Sequence, residues 1–221
     1  MIRGPVILLL CVALGGCGGD SPADPPAANI AVPTRYAAPA RPAPAPDKAW
    51  VRLETAAGII VIELDGRRAP ITAANFLAYV DQRRFDGAVF YRAAQTRGRP
   101  GRGFIQGGIR HSARRALPPI AHEPTSETGL RHGEGAVSMA RTDPGTAMGD
   151  FFITTAAMPS MDAHGRAAGF AVFGRVVEGM DVVRRILAAP VVANAGSGSM
   201  RGQMLAAPVR IVSARRVASN D

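Results

Sequence analysis

From Trp50 onward, apolar and polar residues alternate in short runs cut by turn residues, a rhythm that predicts strands. Trp50 to Thr55 sets Val51 and Leu53 against Arg52 and Glu54. Gly58 turns the chain and the β-branched run Ile59 to Leu64 follows, so the two read as a hairpin. Pro70 opens a helix, where its missing N–H is harmless. Ala73, Phe76, Leu77 and Val80 recur at helical spacing as far as Arg84. Asp86-Gly87 turns into a strand over Ala88 to Arg92. A polar loop from Gln95 to Gly103 leads to the strand Phe104 to Gln106 and the Gly107-Gly108 break. Residues 109–134 lack periodicity and contain Pro118, Pro119 and Pro124, which predicts a long surface loop. Ala136 to Ala140 and Phe151 to Thr155 read as strands joined through Thr142-Asp143-Pro144-Gly145, and Phe170 to Val177 as another. A second helix over Met180 to Leu187 carries Val182, Val183, Ile186 and Leu187 on its apolar side. A Gly/Ser/Ala loop spans Ala188 to Ala207, and a last strand holds Val209, Ile211 and Val217.

About eight short strands and two distant helices read as all-β or α+β. So many short antiparallel strands tend to close into a barrel, which removes their exposed edges.

The first 48 residues follow a different rule. Met1-Ile2-Arg3 starts positive, and Val6 to Leu14 is an apolar run of signal-peptide length, too short to span a bilayer stably. It ends in Leu14-Gly15-Gly16-Cys17, which resembles a bacterial lipobox. That resemblance implies a signal peptide over 1–16, lipidation of Cys17 and a place on the periplasmic side of the cell envelope. Gly18 stands where an inner-membrane retention signal has Asp, which favours the outer membrane. Residues 17–48 are rich in Pro and Ala and cannot build a core or a helix, so they read as a semi-rigid tether to a folded domain at 49–218.

Composition narrows the chemistry. The net charge of +9 comes almost wholly from arginine, Lys48 being the only lysine. The arginines are scattered, and runs such as 114–115, 184–185 and 215–216 are no more than doublets, without interleaved aromatics, which argues against nucleic-acid binding. The two cysteines, Cys11 and Cys17, precede the domain, so no disulfide or thiol chemistry is expected there. His111, His122, His132 and His164 lack metal-ligand spacing. Neither a metal nor a cofactor is expected.

Four pieces stand out: Phe90-Tyr91-Arg92; Gly103-Phe104-Ile105-Gln106-Gly107-Gly108; Ser138-Met139-Ala140 with Phe151-Phe152-Ile153-Thr154 about ten residues later; and Val172 to Val183. In this order they resemble the cyclophilin family of peptidyl-prolyl isomerases over roughly Trp50 to Val217. The resemblance implies a mainly β fold, a closed eight-stranded antiparallel barrel capped by two helices. It also implies a groove on the outer face that acts on proline-containing, unfolded or flexible polypeptides. Arg92, Gln106 and Phe152 take the family's catalytic positions. Phe104, Ile105, Met139, Ala140, Arg141, Asp150, Met161 and Phe170 take substrate-binding ones. A monomer is expected.

The chain also departs from the family pattern. Arg141 stands where Asn is common, Asp150 where Gln is common, and Phe170 where His or Tyr is common. Ser160 or a neighbour replaces a frequent Trp. A carboxylate at 150 could pair with Arg92 or Arg141 and change how Arg92 is presented. Two functions therefore stay open: an extracytoplasmic prolyl isomerase, or a non-catalytic module that holds proline-bearing segments.

Overall fold

The computed structural model describes residues 44–110 and 112–219. The signal-like run, Cys17 and the tether as far as residue 43 lie outside the described residues. The strands are β1 (Lys48–Thr55), β2 (Gly58–Asp65), β3 (Val89–Gln95), β4 (Gly103–Gly108), β5 (Ala136–Met139), β6 (Asp150–Thr154), β7 (Val172–Glu178), β8 (Val191–Val192) and β9 (Met204–Val217). The helices are α1 (Pro70–Asp81), α2 (Thr125–Thr128) and α3 (Met180–Ala188).

The strand order is β1-β2-β7-β5-β6-β4-β3-β9, and β9 pairs back onto β1. Eight strands thus close into a barrel with every pairing antiparallel, as the strand rhythm and the family resemblance predict. Two-residue β8 is an appendage on β9.

Strand alternation decides what fills the barrel. Val51, Leu53, Ile60, Ile62, Phe90, Ile105, Val137, Phe151, Ile153 and Phe173 are buried in one cluster. Phe76 from α1 joins this cluster, with ring centroids 5.0 Å from Phe85, 5.1 Å from Phe173 and 5.3 Å from Phe151, the last edge-on. Such pairs add about 0.5–1.5 kcal/mol each beyond their buried area. α1 packs on β2, β7 and β9, and α3 on β2, β3 and β4. The α3 apolar side buries Val182, Val183, Ile186 and Leu187 and leaves Arg184 and Arg185 outside. Gly107 lets β4 pass close to β3, since a Cβ there would lie 2.7 Å from the Phe90 ring.

Two expectations fail in this region. Residues 109–134 are not a free surface loop. Ile120 bridges to Ala147, Leu130 and His132 are buried, and α2 forms within the segment. The buried Glu123 carboxylate caps α1, accepting from the Ile71 N–H (3.0 Å), the Thr72 N–H (2.7 Å) and the Thr72 hydroxyl (2.5 Å). Ala69, at the helix start, has no side chain to do this, and an acid suits the orphan N–H groups of a helix N-terminus. Sequence periodicity misses the arrangement because donor and acceptor lie about 50 residues apart. Residues 188–207 are likewise more ordered than a Gly/Ser/Ala loop. β8 pairs with the start of β9, and Gly202 N–H donates to Ala195 O at 2.8 Å.

Candidate active site

On the outer face, cross-strand register sets up a row. Arg92 of β3 pairs with Gln106 of β4, Gln106 with Phe152 of β6, and Phe152 with Ser138 of β5. Directly opposed residues project to the same side of a sheet, so these four side chains share one face. The register slips in β3 between Phe90 and Arg92, against both β4 and β9. Such a bulge breaks the strict alternation. Phe90 goes into the core, while Tyr91 and Arg92 both reach the groove.

The groove encloses about 620 Å³. Its apolar part is a cup of rings. Phe104 and Phe170 stand 5.3 and 5.4 Å from Phe152, and Met161 and Met148 also line it. Arg92 lies over Phe104, its guanidinium carbon 4.9 Å from the ring centroid. This is cation–π range.

Arg92 is held by hydrogen bonds. Its Nη1 donates to Gln106 Oε1 at 2.8 Å and its Nε to Gln203 Oε1 at 2.8 Å. Gln106 Nε2 donates to the Tyr91 hydroxyl at 2.7 Å, and that hydroxyl donates to Asp150 Oδ1 at 3.3 Å. Asp150 also accepts from the Arg110 backbone N–H at 2.9 Å. Burial, then the Asp150 charge and its hydrogen bond, push the Tyr91 phenol far above its ordinary value, so it stays protonated. Burial lowers the Arg92 guanidinium somewhat, and arginine keeps its charge at neutral pH regardless.

Behind Phe152 lies a second polar chain. His132 stacks on the Phe152 ring at 5.7 Å, nearly parallel at 6°. Its Nδ1 donates to Asp162 Oδ1 at 2.7 Å, leaving Nε2 to accept from the Ser138 hydroxyl at 3.0 Å. The order Ser–His–Asp is that of a hydrolase triad. Here it is structural, because Ser138 has no exposed surface and no acyl group can reach it. Burial lowers the His132 imidazole, and this outweighs Asp162, which acts in the opposite direction.

Of the residues expected in the groove, Arg92, Phe104, Gln106, Ala140, Arg141, Asp150, Phe152, Met161 and Phe170 line it. Ile105 and Met139 do not. Each is at most 1% exposed and belongs to the barrel core. Ile105 neighbours Gln106, and Met139 lies between Ser138 and Ala140, so alternation turns both inward. Of the two arginines that Asp150 could have met, Arg92 is instead held by the two glutamines, while Asp150 accepts from Tyr91. Arg141 instead lies over the Phe170 ring at 5.0 Å and donates to the Gly169 carbonyl. Sequence reasoning gives no role to Tyr91, Gln203, His132 or Asp162. Only the Phe-Tyr-Arg motif carried a signal for any of them, and it concerned Tyr91.

Another hollow, about 470 Å³, lies over Lys48, Glu63 and Arg175. Three of its charges pair, Glu63 lying 3.5 Å from Lys48 and 3.3 Å from Arg175.

The family model for cyclophilin-type peptidyl-prolyl cis-trans isomerases matches residues 50–216. A peptidyl-prolyl cis-trans isomerase of Streptomyces antibioticus is 41% identical over 140 residues, covering 62% of this chain and 81% of that protein. One from Acinetobacter baylyi is 36% identical over 164 residues, covering 74% of this chain and 82% of the relative. Among solved structures, a Cryptosporidium parvum cyclophilin crystallised in the presence of the dipeptide Ala-Pro superposes with a TM-score of 0.62 at 20% identity. That match covers 77% of this chain and 99% of the other and speaks for the fold. Barrel, groove and sequence converge, and the chain belongs to the cyclophilin-type peptidyl-prolyl cis-trans isomerases.

Proposed function

We propose that Arg92, Gln106 and Phe152 carry the isomerisation and that the enzyme works on extracytoplasmic polypeptides from a lipid anchor at Cys17. Amide resonance sets a barrier of about 18–20 kcal/mol to X–Pro rotation. Lowering it needs no nucleophile or redox group. It needs a cation donor for the proline nitrogen, which becomes pyramidal and basic as the bond twists, and a slot that grips the ring meanwhile. Phe152 forms the floor of that slot and Phe104, Met161 and Phe170 its sides. Arg92 donates to the nitrogen while Gln106 orients it. The observation that carries this reading is the Arg92 guanidinium at the rim of the aromatic cup, 4.9 Å from the Phe104 centroid and braced by Gln106 at 2.8 Å.

The groove favours catalysis over a purely holding role. Asp150, which with Arg141 raised that alternative, bonds to Tyr91 and Arg110, and Arg92 keeps neutral partners and its charge. The test is proline-limited refolding of a client protein. Arg92→Ala is expected to lower the rate by ~10²–10³-fold, the typical loss on removing one transition-state donor. Equal rates for both forms reject the reading.

The anchor rests on Leu14-Gly15-Gly16-Cys17. Acyl chains contribute about 0.8 kcal/mol per buried CH₂, enough in combination to retain the domain at a membrane. Cys17→Ala is expected to move the protein from the membrane to the soluble envelope fraction. Retention in the membrane fraction argues against lipidation.

A further inference from the structure

The geometry points to Gln203, and the segment 198–203 that carries it, as part of the catalytic groove. Gln203 is a positioning residue that fixes the plane of Arg92. This rests on the reading of Arg92 given above.

An arginine side chain is long and rich in rotamers, so a charge that must meet one nitrogen has to be held. Gln106 holds one edge of the guanidinium, accepting from Nη1, but a single bond leaves the group free to pivot about it. Gln203 accepts from Nε, a second point that removes the pivot. Two of the five N–H donors are then engaged. Among the described residues no hydrogen bond takes the other three, which remain for a ligand.

Both holders are amides. A neutral oxygen orients the cation without neutralising it, whereas a carboxylate at either position would pair with the charge that the twisted bond requires.

The segment is braced for this task. Ala93 N–H donates to the Gln203 carbonyl at 2.9 Å, and the next residue, Met204, stands opposite Arg92 in the sheet. Gln203 N–H bonds back to Met200 O at 3.1 Å. Gly196 takes φ +86°, and a Cβ there would lie 2.6 Å from Met200 O, so the fold of the segment depends on that glycine. Ser199 and Met200 line the groove beside Arg92. A stretch of low-complexity composition therefore supplies one wall of the site and one of the two clamps on its charge.

The test measures kcat and KM by NMR exchange on an X–Pro peptide, together with the Arg92 Nε–H resonance and the melting temperature. Gln203→Met keeps volume and removes the acceptor. Its expected kcat is about ten- to hundredfold lower, the range for one lost hydrogen bond to a charged group, with KM little changed and the Nε–H resonance shifted. Gln203→Glu restores an acceptor and is expected to keep the Nε–H bonded while lowering kcat by neutralising the cation. In an Arg92→Ala background Gln203→Met is expected to add nothing. The proposal is overturned if Gln203→Met leaves kcat and the Nε–H resonance unchanged, or if its loss is as large without Arg92 as with it. If Arg92→Ala alone retains full activity, the reading of Arg92 fails instead, so the two failures are distinguishable.

Discussion

Phe151 and Phe152 are neighbours in β6 with opposite lives. Phe151 points into the barrel, fully buried against Phe76, Phe85 and Phe90 at 5.3–5.7 Å. Phe152 points outward and is covered by His132, Phe104 and Phe170 at 5.3–5.7 Å. The inner face is built mainly of apolar side chains and depends on volume and shape. The outer face combines the same kind of rings with a polar chain running from Gln203 through Arg92, Gln106 and Tyr91 to Asp150. One face therefore answers to packing and the other to charge placement, although the same strands build both.

The sharpest way to break that comparison is to truncate each ring. Phe151→Ala is expected to cost about 3–5 kcal/mol in chemical denaturation, because the cavity is closed on all sides. The protein that remains folded keeps its kcat. Phe152→Ala opens into the groove, where water fills the gap, and is expected to cost roughly 2 kcal/mol while abolishing most isomerase activity. Equal stability losses and equal activities would erase the distinction between the faces.

A smaller effect comes from the barrel's plug. Glu123→Ala strips the N-terminus of α1 of its acceptor and is expected to destabilise by about 2 kcal/mol without changing the kcat of the folded enzyme. A fall in kcat at constant substrate affinity would mean that α1 reports to the groove.

The smallest effect is a pH dependence confined to the outer side. The His132 imidazole is lowered by burial, so the unfolded chain, with its ordinary value near 6.5, takes up the proton first. Stability is then complete above about pH 6.5 and falls as the pH drops below it. Asp86, which the Arg215 guanidinium holds below its ordinary 3.8, loses its contribution only in more acid solution. Between these ranges the slope belongs to His132. Denaturation midpoints between about pH 4 and 7 are expected to slope in the parent and flatten in His132→Gln, and equal slopes refute the assignment.

Much of this was readable in the chain. The strand rhythm forecast the eight barrel strands, the amphipathic stripe forecast α3, and the ordered motifs brought forward Arg92, Gln106 and Phe152. Alternation also contained the correction for Ile105 and Met139, since neighbours of outward residues in an unbulged strand must face inward. Tyr91 escaped the same rule because a bulge in β3 breaks it, and a bulge depends on how two partner strands meet.

The sequence by itself determined which residues could line each face of a strand, because that choice depends on local alternation and on the cost of burying polar groups. Tertiary structure alone decided which distant residues complete the site. Gln203 reaches Arg92 across 111 positions, Glu123 reaches α1 across about 50, and Asp162 reaches His132 across 30. Those partners lie in segments without periodicity. Only closure of the barrel fixes where such segments run, so hydrogen-bond direction and reach, rather than hydrophobic pattern, select them.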